Sequence, residues 1–318
     1  MKDLHTLYTP ITAKPSLCDD MYQEFLPSNI LKPYIVCYWG NENIVTEKDT
    51  LIETNFVIPQ ACIDLIVQYN HEDNSIYAFL TTIQESAFWG HRDCENQKIS
   101  RFAIRFYGWS AHLFFNTSMK NTNKEMYMMH SPFPEWINIV TKASYLTTMP
   151  ERIKLIEEYL LSYISNINFD INLYHALHTI LSNKGTLSIE QICTNIAIGK
   201  RQLERIFSQK IGISIKAFSG IIRYQNLWKD IAMQEVFPLL DLVSTYNFSD
   251  SAHLLNTFRK YHGVYPHEAK ELLGEVLILT DKISAKEYEK ICIKTKGLPQ
   301  WEMKMKNNVI LCLPKKSD

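Results

Sequence analysis

The feature that most constrains this chain is a short pattern that it contains twice. In QLERIFSQKIGIS a leucine is followed four positions later by phenylalanine and five positions after that by glycine, and HLLNTFRKYHGVYP repeats these spacings. The matching residues lie fifty-one positions apart: Leu203, Phe207 and Gly212 in the first copy, and Leu254, Phe258 and Gly263 in the second. Repetition across a whole segment indicates that one structural unit has been duplicated.

Each copy is preceded by a short amphipathic segment and a turn. Upstream of the first copy, LSIEQIC has apolar residues at helical spacing, with Ser188 or Thr186 available as the helix cap. The turn NIAIG follows, and Gly199 is expected to take the backbone angle that other residues disfavour. In the second copy the short helix is LLDLVS and the turn is YNFSD. Ser251 or Asp250 begins the helix that follows. Two helix-turn-helix units are therefore predicted.

The second helix of each unit presents a polar face. In the first unit Leu203, Ile206 and Phe207 point inward, so that polar and basic residues point outward. Arginine can bind guanine through paired hydrogen bonds and lysine can hold phosphate, so these faces are candidates for a DNA major groove. The candidate DNA-binding residues are Lys200, Arg201, Gln202, Glu204, Arg205, Ser251, His253, Asn256, Arg259 and Lys260. Of these, His253 is expected to be a buried hydrogen-bonding residue rather than a base reader.

Between the copies, IKAFSGIIRYQNLWKDIAM is predicted to be one longer helix that holds the two units at a fixed separation. A separation of about 34 Å would let both units reach the same face of one duplex. The net charge of the chain is unevenly distributed, with an excess of basic residues in the part that contains the repeat. Residues 171–270 contain eleven basic and seven acidic side chains, a net charge of +4, whereas the whole chain carries −1 and the remainder therefore −5. A polyanion partner for the repeat-containing part is favoured.

In the first third of the chain the apolar residues are not at helical spacing. Short runs rich in β-branched and aromatic residues, such as IVCYWG, IDLIVQY and RFAIRFY, are typical of strands. From about residue 134 the apolar spacing becomes helical, as in FPEWINIVTKA and PERIKLIEEYLLSYI. We therefore predict an α+β fold, with a β-rich barrel followed by an all-α part that holds the two helix-turn-helix units and their linker helix. VLILT, ICIKT and VILCLP near the C-terminus are further candidate strands.

The repeat resembles the DNA-binding domain of the AraC/XylS family of bacterial transcription regulators. LERIFSQKIGIS and FRKYHGVYPHEA carry the resemblance, and Arg223 stands where that family has an arginine in its linking helix. Upstream, LPSNILKPYIVCYWG, VIPQACIDLIV and RFAIRFYGWSAHLFF resemble the cupin-like N-terminal domain of one subgroup. The second unit departs from the family pattern, with Asn247 in place of a glycine and Asn256 in place of an arginine. Its helix is thus expected mainly to hold the DNA backbone through Arg259 and Lys260.

The resemblance implies a sequence-specific transcription regulator with four segments: a β-rich sensor or dimerisation domain (1–130), a helical connector (131–168), the DNA-binding domain (169–273) and an extension of unknown role (274–318). Partners would be double-stranded DNA and, as further candidates, RNA polymerase, a small-molecule effector and a second copy of the chain. One alternative keeps DNA binding but makes the N-terminal part purely oligomerising. A second is a barrel enzyme with an accessory helical domain. Activator and repressor are not distinguished.

Aromatic residues of the β-rich part are candidates for an effector site. Tyr38, Trp39, Trp89 and Tyr107 could line a barrel, although each is expected to be an ordinary core residue. No His-x-His pair or other clustered ligand set points to a metal, and no cofactor-binding or nucleophile motif stands out, so an enzyme is disfavoured. The scattered cysteines and the absence of a long apolar run lead us to expect a cytoplasmic protein without a membrane partner.

Overall fold

The computed structural model describes residues 3–13, 23–40, 55–90, 99–120, 125–127, 134–165, 167–234, 237–271, 301–306 and 309–314. Its strands are β1 (Gln23–Phe25), β2 (Ile35–Gly40), β3 (Asn55–Val57), β4 (Cys62–Asn70), β5 (Ile76–Thr81), β6 (Phe88–Gly90), β7 (Ile99–Tyr107), β8 (Glu125–Tyr127), β9 (Trp301–Lys306) and β10 (Val309–Pro314). Its helices are α1 (Leu4–Leu7), α2 (Ala111–Phe115), α3 (Pro134–Ser144), α4 (Met149–Ile164), α5 (Ile171–Ser182), α6 (Ile189–Ile196), α7 (Lys200–Lys210), α8 (Ile215–Met233), α9 (Leu239–Thr245) and α10 (Ser251–His262).

Six strands form one antiparallel sheet in the N-terminal part. Their order is β1-β2-β7-β4-β5-β8, while β3 and β6 pair separately as a two-stranded ribbon. The long central strands β4 and β7 are in continuous register, from Cys62 opposite Tyr107 to Asn70 opposite Ile99. Over the described residues the strands form an open sheet beside a ribbon, and the cupin-like label stays a prediction. The α+β class is confirmed, because an antiparallel sheet is followed by a helical region.

One face of the sheet is buried under α3 and α4. Residues that alternate along β4 and β7, such as Leu65, Ile104 and Phe106, are fully buried. The Phe106 ring lies 6.3 Å from the indole of Trp136 on α3. On α4 a capping box between Thr148 and Glu151 satisfies the first backbone amides of the helix. This packing, together with the hydrogen bond from Tyr38 to Glu157, attaches α3 and α4 to the sheet.

The helical region from α5 onward packs against the sheet region through the N-terminal segment. The buried amide of Gln225 on α8 accepts a hydrogen bond from the Ile11 backbone N–H (2.8 Å) and donates to the Ile11 and Pro59 carbonyls (3.1 and 2.7 Å). The Trp228 indole donates to the Thr12 carbonyl at 3.0 Å. Buried apolar residues from both parts belong to one continuous core. The two parts are thus joined by polar contacts as well as by apolar packing.

The strand and helix predictions agree with the structure at element level. The segments IVCYWG, IDLIVQY and RFAIRFY, predicted as strands, correspond to β2, β4 and β7. The helical segments FPEWINIVTKA and PERIKLIEEYLLSYI correspond to α3 and α4. VILCLP forms β10, which pairs with β9, whereas VLILT and ICIKT lie outside the described residues. None of the helices over the described part of the chain is both long and apolar enough to span a bilayer.

Candidate nucleic-acid interface

The first predicted helix-turn-helix unit consists of α6 and α7. Ser188 caps α6, because its hydroxyl accepts from the Gln191 backbone N–H and the Gln191 side chain accepts from the Ser188 N–H. The chain then turns through Ala197, whose φ of 52° and ψ of 43° are left-handed. The expectation for Gly199 was wrong: this residue is extended, with φ −69° and ψ 140°, and is the N-cap of α7. The turn takes its left-handed angle at the C-cap of α6, since that is where the chain leaves the helix.

The two faces of α7 differ sharply in polarity. Leu203, Ile206 and Phe207 are buried, and the Phe207 ring packs edge-on against Phe218 of α8 at 5.6 Å. The outward set consists of the exposed Lys200, Arg201, Gln202 and Arg205 and the half-buried Glu204. The Lys200 ammonium lies 3.2 Å from the Glu190 carboxylate on α6, across an exposed surface. The structure therefore brings all five predicted residues of α7 to one side of the helix.

The second unit, α9 and α10, repeats this geometry. Asn247 is left-handed at φ 53°, fifty positions after Ala197, and Phe248 is buried where Ile198 is buried in the first unit. The Asp250 carboxylate caps α10 by accepting from the His253 backbone N–H at 2.7 Å. Both copies also end alike, since Gly212 and Gly263 have φ values of +91° and +83°. An asparagine tolerates this angle better than most residues, so the turn keeps this geometry without a glycine at position 247.

The outer face of α10 carries fewer charges than that of α7. His253, Asn256 and Lys260 are exposed and Ser251 is half-buried. The expectation that His253 is buried was wrong: its imidazole is at the surface, 3.1 Å from the Ser249 hydroxyl. The Arg259 guanidinium is half-buried, donates to the Tyr265 hydroxyl at 3.1 Å and lies over that ring. Lys260 is thus the more accessible of the two basic residues on α10.

Helix α8 packs against the second unit. The Arg223 guanidinium lies 3.5 Å from the centroid of the Phe248 ring in the turn before α10. Burial lowers the pKa of Arg223 from its ordinary value. At the next position of α8, the Tyr224 hydroxyl hydrogen-bonds to Nδ1 of the buried His262 at 2.7 Å. Burial also lowers the pKa of His262 to about 3, so the imidazole is neutral at physiological pH.

The outward face of α7 lines an open groove of about 1090 Å³. Among its lining residues are Arg201, Gln202, Arg205, Ser208, Gln209 and, from the sheet region, Lys120. Three cations and one carboxylate, that of Glu204, therefore face the same space. Lys120 was missed by the sequence reasoning. It precedes α7 by eighty positions, and no local pattern marks it.

The aromatic candidates for an effector site are not gathered around one cavity in the described residues. Tyr38 lies opposite Ile104 and Trp39 opposite Ala103, so that they point to opposite faces of the sheet. The Tyr38 hydroxyl donates to Glu157 of α4 at 3.3 Å, and the Trp39 indole donates to Asp64 at 3.2 Å. Tyr107 stacks on the buried Trp109 at 4.5 Å. Trp89 lies in β6, and its side chain is outside the described part of the structure.

The face that bears Trp39 carries an ion-pair network instead. The Arg105 guanidinium binds Asp64 through two hydrogen bonds of 2.9 and 3.0 Å and lies 3.6 Å from Glu24. Arginine suits such paired binding because its donors are planar and fixed. Within the ranges that the structure describes, no group of three or more histidine, cysteine or acidic residues is arranged to hold a metal ion.

Comparisons with known proteins give distant likenesses. A family described as a domain of unknown function, DUF6597, matches residues 23–127, the span of the six-stranded sheet. No curated protein matches the chain. Among solved structures, a 1.65 Å structure of ToxT from Vibrio cholerae shares 12% identity with a TM-score of 0.35, covering 80% of this chain and 98% of ToxT. ToxT with a bound unsaturated fatty acid shares 10% identity with a TM-score of 0.36, covering 69% and 91%.

Proposed function

We propose that this chain is a sequence-specific, double-stranded DNA-binding transcription regulator of the AraC/XylS type. The observation that carries the proposal is the twofold occurrence of one helix-turn-helix geometry. In each unit a left-handed residue follows the first helix, a leucine and a phenylalanine of the second helix are buried, and a left-handed glycine closes the unit. A duplicated unit of this kind, with both second helices exposed on their outer faces, has the form needed to contact successive major grooves.

The roles of the two second helices differ in this proposal. On α7, Arg201 and Arg205 lie one helical turn apart and both are exposed, so each can reach the edge of a base pair. Lys200, Gln202 and Glu204 flank the two arginines and would adjust the position of α7 along the duplex. On α10, Lys260 and Arg259 would hold phosphates, while Ser251, His253 and Asn256 offer only short or neutral groups to the bases. Sequence reading would therefore depend mainly on α7.

The N-terminal part, residues 1–130, would act as a sensor or as a dimerisation domain, with residues 131–168 as connector. An effector that binds one arrangement of the two parts more tightly shifts their equilibrium towards that arrangement and so changes the affinity for DNA. The change in DNA-binding free energy cannot exceed the difference in the effector's own binding free energy between the two arrangements. The rival without an effector makes this part purely oligomerising. Titration of candidate metabolites, followed by tryptophan fluorescence and melting temperature, distinguishes these two, and a consistent lack of response supports the rival.

Selection of bound duplexes from a random pool tests the proposal directly. Once a preferred duplex is found, Arg201→Ala and Arg205→Ala should each weaken binding by about 1–3 kcal/mol, because a bidentate contact with a base is lost. Each variant should also relax the base preference at its own position. Lys142→Ala, which removes an exposed cation from α3, is the matched control and should leave both quantities unchanged. A pool from which no sequence is enriched would contradict the proposal.

Lys260→Ala should behave differently from the α7 variants. Loss of a phosphate contact weakens binding to every sequence alike and reduces the slope of log affinity against log salt by about 0.9. The preferred sequence should not change. Arg259→Ala should show the same pattern together with a lower melting temperature, because the guanidinium also bonds to Tyr265. A shifted base preference in the Lys260 variant would assign α10 a reading role.

A further inference from the structure

A short loop from the sheet region is fixed against the end of α7. After α2 the chain turns at Asn116, and the Met119 backbone N–H then donates to the Gln209 carbonyl of α7 at 2.8 Å. The Ser118 hydroxyl donates to the same carbonyl at 3.3 Å. Met119 itself is only 2% exposed. These contacts join residues that are ninety positions apart in sequence, and they satisfy a carbonyl that the last turn of α7 leaves open.

The glycine that closes the first unit permits this approach. A Cβ atom at position 212 would lie 2.8 Å from the Met119 carbonyl oxygen, closer than such atoms come in practice. Gly212 also has a φ of +91°, which side-chain-bearing residues rarely adopt. The backbones of the loop and of the turn after α7 therefore touch directly. The loop is held in one place relative to the outward face of α7.

Lys120, the residue after Met119, is exposed and faces the groove that Arg201 and Arg205 line. Eight residues separate Arg201 from Gln209, which at 1.5 Å per residue is about 12 Å along the helix axis. The major groove of B-DNA is also about 12 Å wide. If α7 enters the groove with its N-terminal end deepest, so that Arg201 contacts a base edge, the Gln209 end of α7 lies near the sugar-phosphate wall. The loop that is bonded to Gln209 then places the Lys120 ammonium beside phosphates.

We propose that Lys120, on the sheet region, binds the DNA backbone beside the α7 recognition face, so that the N-terminal part forms a piece of the DNA-binding surface. The inference rests on the proposed function and extends it to a residue outside the repeat. It also supplies a physical route for regulation. A displacement of the sheet region that moved the loop away from Gln209 would remove a phosphate contact without altering α7.

The test compares Lys120→Ala with Lys154→Ala in the full chain. Lys154 is an exposed lysine of α4 that lies in a different groove, so it is a control for the loss of one positive charge. Affinity for the selected duplex is measured by fluorescence anisotropy at several salt concentrations between roughly 50 and 200 mM. For Lys120→Ala we expect weaker binding at low salt and a rise in Kd across that range about 3.5-fold smaller than in the unaltered chain, since one fewer counterion is released. Lys154→Ala should match the unaltered chain.

Two further measurements separate an effect of Lys120 on DNA binding from an effect on the stability of the fold. Lys120→Glu should weaken binding more than Lys120→Ala, whereas both should melt at the temperature of the unaltered chain because the side chain is exposed. Equal affinities and salt slopes for Lys120→Ala and Lys154→Ala, with duplex binding by the unaltered chain intact, overturn this inference alone. Failure of the unaltered chain to bind any duplex overturns the proposed function, and this inference with it.

Discussion

At the scale of single residues, the turns of both units depend on left-handed positions that are not occupied by glycine. Ala197 and Asn247 have φ values of 52° and 53°. Asparagine visits this region at low cost, whereas alanine is strained there by about 1–2 kcal/mol. The two units thus share a turn geometry, but the first holds it against a steric penalty.

Replacement of Ala197 by glycine should therefore stabilise the protein. Glycine relieves the strain but adds freedom to the unfolded chain, so we expect a net gain of about 0.5 kcal/mol in the free energy of unfolding by urea titration. Ala232→Gly, in the right-handed last turn of α8, is the control and should cost stability, by up to about 1 kcal/mol. A loss of stability in Ala197→Gly comparable to that of the control would contradict the strain argument.

At the scale of elements, α8 does more than separate the two units. Its buried Gln225 holds both the N–H and the carbonyl of Ile11 and also the Pro59 carbonyl. Buried backbone groups of an irregular segment need such partners, because they have none in a helix or strand ladder. The linker helix of the repeat is thereby one of the elements to which the N-terminal segment and the sheet region are attached.

Gln225→Ala should be strongly destabilising for this reason. The buried Ile11 N–H and Pro59 carbonyl would lose the partner that Gln225 provides, whereas the Ile11 carbonyl keeps a bond from the Gln60 amide at 3.2 Å. We expect a cost of about 3 kcal/mol in urea unfolding. Asn226→Ala removes the neighbouring amide, whose hydrogen bond among the described residues is to the Ile222 carbonyl of its own helix, and should cost less than about 1 kcal/mol. Similar costs for the two variants would show that the contact between α8 and the N-terminal segment contributes little.

At the scale of the whole molecule, the junction between the sheet region and the helical region contains a buried histidine. His112 of α2 is 8% exposed, and neither ring nitrogen has a hydrogen-bond partner among the described residues. Burial, with the nearby Lys210 charge, lowers its pKa to about 3, while Asp170 acts in the opposite direction. Its pKa in the unfolded chain is about 6.5. Below that pH the unfolded chain binds a proton that the folded protein does not, so stability falls as the pH drops from 6.5 towards 3.

His112→Phe should remove this part of the pH dependence. At pH 5 the unfavourable contribution of His112 is about 2 kcal/mol, and at pH 7 it is nearly absent. The decrease in unfolding free energy between pH 7 and pH 5 should therefore be about 2 kcal/mol smaller in the variant, as measured by urea unfolding at both pH values. The decrease that arises from His262 should remain, because its pKa is also lowered by burial. An unchanged pH difference would indicate that His112 is protonated in the folded state.

The sequence alone determined the element types, the duplicated helix-turn-helix pattern and the outward face of α7. These features follow from apolar periodicity, caps and glycine positions, which act over a few residues and so are legible locally. Tertiary structure alone decided that Ala197 and not Gly199 is left-handed, that His253 is exposed, and that Tyr38 and Trp39 face apart. It also placed Lys120 beside α7 and Gln225 on a segment 214 positions away. Contacts between residues that are distant in sequence depend on how whole elements pack. The local sequence around a side chain therefore does not predict which distant backbone group it contacts.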